Sequence, residues 1–540
     1  MMEELHQLET VVALLAAVLV LATAARRVLI PYPIFLVLGG LVIGVLPRVP
    51  VVRLDPDIVF LIFLPPVLFS AAYFTSLRDF RANLRPITLL AVGLVLATTA
   101  VVAAVARVVI PGLSWPAAIA LGAIVSPPDA VAASAIARRL GIPFRIVTVL
   151  EGESLINDAA ALVLYRSAVL AVVTGAFSLS QTLWQFVLTA AGGVLIGLIV
   201  GAGVCWALRL TEDSLIETAI TLLAPYAAWI LAERTQTSGV LACVAGGLYV
   251  RQFFSAAVAP ATRMQAGAVW RLLIFGLNGV IFALIGLQLG AIRQAGLSAD
   301  LRTLVRLGAL ISLAAIVIRR IWVPLAVVIP RWVSPALRAR DPIPPWSAIA
   351  LVSWIGMRGI VSLAAALALP VTTATGAPFP YRDEIILVTF AVILATLVLQ
   401  GLTLTPLIRF LDLGEDRTLE LEEAHAREDA AKAALVRLDE LARAAWARRE
   451  DIERLRALYT QRVRRASPIE LGADAAAAKA QAAFRRLRHE ILSTERRVLI
   501  ALRDQGVISD EILLRLEQEL DVEAMRIGLG ETRLDDRPGT

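Results

Sequence analysis

The chain has 540 residues, is 58% hydrophobic and has a mean hydropathy of +0.76, which excludes an ordinary soluble protein and points to many membrane spans. Its net charge of +6 is spread over loop ends rather than gathered in one patch, which argues against nucleic acid as a partner. Cys205 and Cys243 lie in apolar stretches, so neither a disulfide framework nor metal-site spacing is present, and no cofactor is expected.

A spanning helix needs about 20 mostly apolar residues. Thirteen candidate stretches are marked, at roughly 8–25, 29–46, 57–75, 86–110, 114–139, 146–174, 182–208, 214–232, 238–250, 267–290, 303–330, 345–369 and 383–410, the ninth being short. The first has a cleavage-like Ala22-Thr23-Ala24, but it follows an acidic MMEELHQLE where a signal peptide would be basic, so a retained helix is expected. Arginines recur in alternate loops: Arg26 and Arg27, then Arg78, Arg81 and Arg85, then Arg138, Arg139 and Arg145, then Arg251 and Arg263, then Arg331, Arg338 and Arg340. The positive-inside rule assigns those loops to the cytoplasm, which puts the start of the chain outside and its end inside the cell.

The fifth stretch is interrupted by Ser126-Pro127-Pro128-Asp129. Two prolines prevent regular helix there, and Asp129 can offset amide dipoles exposed at the break. The sixth, IVTVLEGESLINDAAALVLYRSAVLAVVT, carries Glu151, Glu153, Asn157 and Asp158 inside one apolar helix. An acid at the centre of a membrane helix costs roughly 2.5–3.5 kcal/mol on insertion scales, so three in one segment point to an ion or proton path. Residues four apart share a helix face. Ser154 and Asp158 form one stripe, with Glu151 a further turn back, while Glu153 and Asn157 form the adjoining stripe. Asp158 with Ser154 offers an oxygen-rich half-site where a monovalent cation and a proton compete for one carboxylate. The histidines His6, His425 and His489 all fall outside the stretches, so a proton carrier in the membrane must be a carboxylate. Glu153 calls for a buried cation, which Arg319 or Arg320 in the eleventh stretch can supply. Glu151 is expected at the membrane edge, and Arg166 is expected to snorkel to the opposite interface.

The twelfth stretch is interrupted by Gly356-Met357-Arg358-Gly359. The two interrupted segments are seven stretches apart, an offset that inverts one half of the chain relative to the other. Paired broken helices in two halves mark a transporter's midplane site. Beyond Phe410 the hydrophobicity collapses, and residues 412–540 read as a solvated helical tail of mixed charge, with a break at Ser467-Pro468 and a helix start at Ser509.

LEGESLINDA, preceded by PPDAVA and followed by GMRGIVSLAAALALP, resembles the sodium–hydrogen exchanger branch of the monovalent cation/proton antiporters, over nearly all of residues 8–410. The resemblance implies an all-α polytopic membrane fold of inverted six-helix repeats with two broken helices. It implies a core domain (about 86–174 and 303–410), a dimerisation domain (about 8–75 and 182–290) and a homodimer working by elevator-like alternating access in the plasma membrane. It maps the ion- and proton-binding groups onto Asp158, Asn157, Ser154 and Asp129, the structural ion pair onto Glu153 with Arg319, and the broken-helix cation onto Arg358. Members with asparagine before the binding aspartate are generally electroneutral, which Asn157 implies here. The chain departs from many relatives in having Pro128-Asp129-Ala130 where they have Thr-Asp-Pro, and Ser70 where some carry an acid.

The leading expectation is exchange of sodium or lithium for protons, with potassium/proton exchange on the same scaffold as the alternative. A cation channel would want a repeated pore motif, and a sensor would want a signalling motif; neither is visible. The chain has no Gly-x-x-x-x-Gly-Lys nucleotide loop for primary pumping, and the GESL run lacks the elbow and histidine of a serine hydrolase.

Overall fold

The computed structural model describes residues 2–28, 31–46, 56–129, 134, 142–175, 179–294, 301–412, 418–444, 446–466 and 475–526. The described residues form helices and connecting turns, in two compact units, Met1–Asp416 and Arg417–Thr540.

The first unit begins with α1 (Met2–Val28), α2 (Tyr32–Val45) and α3 (Pro56–Phe74). A short α4 (Leu77–Ala82) leads to α5 (Leu84–Val109) and α6 (Trp115–Val125). Then come α7 (Phe144–Thr174), α8 (Leu179–Leu208), α9 (Ser214–Arg234), α10 (Gly239–Ala257) and α11 (Pro260–Gln294). The series closes with α12 (Leu301–Val333), α13 (Pro335–Arg340), α14 (Trp346–Trp354), α15 (Ile360–Leu367) and α16 (Arg382–Leu411). Among the described residues eight helices are long and apolar enough to cross a membrane, and shorter apolar helices join them. The ninth expected stretch, read as short, corresponds to α10, whose apolar part Gly239–Phe254 is one of the shorter apolar helices.

Local chemistry sets the ends. Pro143 precedes α7, and Gly175 ends it in the left-handed region (φ 73°), its N–H returning to the Ala171 carbonyl at 3.0 Å. The Ser238 hydroxyl caps α10 by accepting from the Leu241 N–H. α3 and α5 each contain a wide π-type turn, at Val59–Phe63 and Leu89–Leu94. The ring of Pro65 crowds the carbonyl four residues back, inside the first of these turns. In the second, the Trp322 indole N–H donates to the Leu89 carbonyl at 3.0 Å, a side chain inserted into the helical ladder.

Packing sorts the helices into two groups. α2 lies along α11, α10 packs against both α8 and α3, and α9 joins α8 and α10. In the other group α6 is clasped by α5 and α7, and α12 packs on α5, α14 and α16. Fewer contacts join the groups, among them α7 with α10 and α15 with α11.

The tail unit is built from α17 (Thr418–Leu441), α18 (Arg449–Ala466), α19 (Ala475–Asp504) and α20 (Asp510–Arg526). α17 pairs with α18, and α19 with α20, where Arg496 meets Asp521 at 2.5 Å. Ser509 caps α20 through the Ile512 N–H at 3.3 Å. The break expected at Ser467-Pro468 lies outside the described residues.

Candidate functional site

The site is assembled where α7 passes two interrupted segments. α6 stops at Val125, and chain 126–129 continues without helix; most of the second half of that stretch, including Ala130 to Ala132 of the PPDAVA motif, lies outside the described residues. α14 stops at Trp354 and α15 begins at Ile360, so Ile355 to Gly359 form the second break. The breaks touch: the Asp129 N–H donates to the Met357 carbonyl at 2.6 Å.

Each break leaves helix ends whose backbone groups lack intrahelical partners. Arg358, 2% exposed, donates from Nε to the Val125 carbonyl at 2.9 Å and from Nη1 to the Gly356 carbonyl, which sets a cation at the C-terminal end of α6. The Asp129 carboxylate lies against Gly359 at the start of α15, so closely that a Cβ at Gly359 would fall on it. An anion therefore sits at a helix N-terminus, where the dipole favours it.

Asn157 and Asp158 are adjacent on α7 and point to different tasks. Asn157 is fully buried, its Nδ2 donating to the Pro128 carbonyl at 3.0 Å, while its Oδ1 is buried without a hydrogen-bond partner. It holds the first break against α7. Asp158 is 7% exposed and opens on a cavity of about 660 Å³. Ser154, Asp129 and Glu151 line the same cavity, with Ser70 of α3 and Asn278 of α11 opposite. The cavity thus presents oxygens from both helix groups, Asp158 among them.

Glu153, on the other face of α7, is 1% exposed and takes Arg319 of α12 in a two-pronged pair, Nη1 to Oε1 at 2.5 Å and Nη2 to Oε2 at 2.8 Å. Arg319 Nε also donates to the Val352 carbonyl at 3.2 Å. Arg320 is exposed and lies over the Trp354 ring, 5.0 Å from its centroid.

Glu151 lines the cavity one turn from Ser154, because residues 151, 154 and 158 share a helix face. The Arg166 guanidinium is more than half exposed and pairs through Nη2 with Glu233 near the end of α9 at 3.1 Å. That pair lines a second cavity of about 540 Å³, which also touches Asp57 and Ala159 but has no lining atom from Asp158. Sequence reasoning missed Asn278 and Arg271 of α11 as cavity residues; an asparagine and an arginine within an apolar stretch were the available signal.

Residues 12–410 match the family described as sodium/hydrogen exchanger, transmembrane. The chain is 36% identical over 527 residues to an uncharacterized Na(+)/H(+) exchanger of Mycobacterium tuberculosis, covering 96% of each. It is 35% identical over 423 residues to a sodium, potassium, lithium and rubidium/H(+) antiporter of Bacillus pumilus, covering 76% of this chain and 62% of the relative. The fold is similar to that of the sodium proton antiporter MjNhaP1 of Methanocaldococcus jannaschii, with a TM-score of 0.58 at 19% identity over 76% of this chain and 100% of that one. With the family matched over nearly the whole helical unit, the chain belongs to the sodium/hydrogen exchangers and is a multi-pass membrane protein.

Proposed function

We propose that the chain exchanges sodium or lithium for protons at Asp158, one for one, by alternating access. The observation that carries this reading is a carboxylate both buried and lining an open cavity, with the Ser154 hydroxyl beside it on the same face. A bare carboxylate at that depth costs several kcal/mol, so it crosses the membrane neutralised, either by a proton or by a cation stripped of part of its water. Ser154, Asp129 and carbonyls of the breaks are candidate further ligands, and Asp158 is the group that changes its load. Asn157 supports one-for-one exchange: the position next to Asp158 carries no second titratable acid, and its amide is committed to Pro128. Glu153 with Arg319 and Arg358 with the helix ends brace the site rather than bind the substrate.

The group of α5–α7, α12 and α14–α16 is the mobile core in this reading, and the group of α1–α3 and α8–α11 is the scaffold and dimerisation domain of a homodimer. Two cavities at successive levels of α7, only one of which includes Asp158, fit a carrier that opens to one side at a time. The arginine-rich loops assign the tail to the cytoplasm of a cell whose plasma membrane holds the protein.

In liposomes, external sodium should dissipate an acid-inside pH gradient, and Asp158→Asn should abolish this in folded protein. Retained exchange by that variant removes the assignment. Clamping the voltage at zero should leave the rate nearly unchanged; strong voltage dependence contradicts one-for-one coupling. The Bacillus relative, a sodium, potassium, lithium and rubidium/H(+) antiporter, supports potassium/proton exchange as a second reading, which repetition of the assay with lithium, potassium and rubidium decides.

A further inference from the structure

At the arginine-rich end of the molecule, away from Asp158, four charged groups from separate segments converge. The Asp341 carboxylate, just past α13, accepts from Arg85 at the start of α5 (3.1 Å), Arg145 in the first turn of α7 (2.7 Å) and Arg331 at the end of α12 (2.7 Å). Arg145 Nε also donates to the Asn83 side chain at 3.1 Å, and Arg331 Nε to the Asp341 carbonyl at 2.9 Å. Three guanidiniums share a single carboxylate, which leaves two positive charges in excess. The cluster's donors are not all met either, since Arg85 Nε and Nη1 are buried without an acceptor. Arg338 and Arg340, both exposed, immediately precede Asp341.

Beside the cluster a narrow slot of about 90 Å³ runs between α5, α7, α12 and α14. Arg145 and Arg331 stand in its lining, and the rest is apolar, including Leu90, Val149, Val323, Val327 and Ile349. Arg145 is 51% exposed, so the cationic end is open while the slot is greasy. A free phosphate would satisfy the charges and leave the slot empty; a zwitterionic lipid would bring its own cation against an excess of cations. At about 90 Å³ the slot is also far too small to take a peptide helix, whose diameter is about 10–12 Å.

We propose that this is a binding site for an anionic phospholipid. The headgroup phosphate docks on Arg145, a guanidinium suited to phosphate geometry, with the excess positive charge of Arg85 and Arg331 behind it, and the first methylenes of one acyl chain fill the slot. The site spans α5, α7 and α12, so an occupying lipid ties together the helices that carry Asp158 and Arg319.

The test measures thermal unfolding of the purified full chain in detergent with added phosphatidylglycerol, phosphatidylcholine of the same chains, or soluble glycerol phosphate. Phosphatidylglycerol should raise the midpoint saturably, and the other two should not. Arg145→Gln should weaken the apparent affinity for phosphatidylglycerol about tenfold or more, the worth of one charge-assisted hydrogen bond. Val327→Trp, which fills the slot and leaves every arginine in place, should abolish the effect; it carries the test alone if Arg145→Gln fails to fold. Equal stabilisation by phosphatidylcholine, stabilisation by glycerol phosphate alone, or wild-type affinity in both variants would overturn the proposal.

Discussion

Cutting one half of the Glu153–Arg319 pair should damage the protein more than removing both halves. Each side chain is no more than 2% exposed, and the pair shares two hydrogen bonds, at 2.5 and 2.8 Å. Glu153→Leu strands a guanidinium in the core, and Arg319→Met strands a carboxylate; each should cost about 3–5 kcal/mol. Against a total stability of about 5–15 kcal/mol, either loss is severe. The combined Glu153→Leu, Arg319→Met protein strands neither partner of the pair and replaces it with side chains of similar volume. It still loses the donor to the Val352 carbonyl, a deficit of about 1–3 kcal/mol, so it should fall near wild type and well above either single variant. Unfolding midpoints of the four proteins in one detergent–lipid mixture give the coupling directly. The reasoning is refuted if either single variant loses less than about 1 kcal/mol, or if the double variant loses the sum. Arg320→Ala is the internal control: its exposed contact with Trp354 is worth only about 0.5–1 kcal/mol.

Three other outcomes follow from the geometry. Ser154→Ala should raise the sodium concentration for half-maximal exchange about two- to tenfold, the worth of one neutral oxygen contact, with a smaller change in maximal rate; an unchanged sodium dependence would remove Ser154 from the site. Gly359→Ala should destabilise by about 1–3 kcal/mol, because its Cβ would fall on the Asp129 carboxylate where the breaks meet; a wild-type unfolding midpoint would mean that Asp129 can move aside freely. For Asp341, outside the spanning helices, burial would raise the carboxyl, but the Arg145 hydrogen bond and the charges of Arg145, Arg331 and Arg85 outweigh it and hold it below the usual range. With a folded value below about 3.9, the stabilisation is complete above about pH 4 and is lost as pH falls through the depressed value. Asp341→Asn should therefore be less stable than wild type at neutral pH, with a gap that closes in acid; a gap constant from about pH 7 to about pH 3 would contradict this.

Hydrophobic periodicity and length were enough to find the helices, since α3, α5, α7 and α16 bury apolar residues along stretches the pattern marks by itself. The breaks were equally legible, because Pro127-Pro128 and the glycines around Arg358 cannot continue a helix at no cost. What required the structure was direction around the axis. Leu307, Ile311, Ala315, Arg319 and Val323 lie four apart, and all are buried, so this stripe carries Arg319 inward and leaves Arg320 outside. The stripe was present in the sequence but unread. Glu151 shares the cavity-lining stripe with Ser154 and Asp158, and that spacing was legible in the sequence. Asn157 was legible as one of the ion-binding pair with Asp158, but not as a group that holds the first break. Its bond to the Pro128 carbonyl depends on where two distant segments cross, and no local pattern encodes that.

The most direct test counts protons as the cation binds. Purified protein in weakly buffered detergent solution, titrated with sodium from weakly acid to neutral pH, should release about one proton for each cation bound at the pH where Asp158 starts protonated, and Asp158→Asn should release none. Sodium binding without proton release, or undiminished release from Asp158→Asn, would contradict competition of the two ions for that carboxylate.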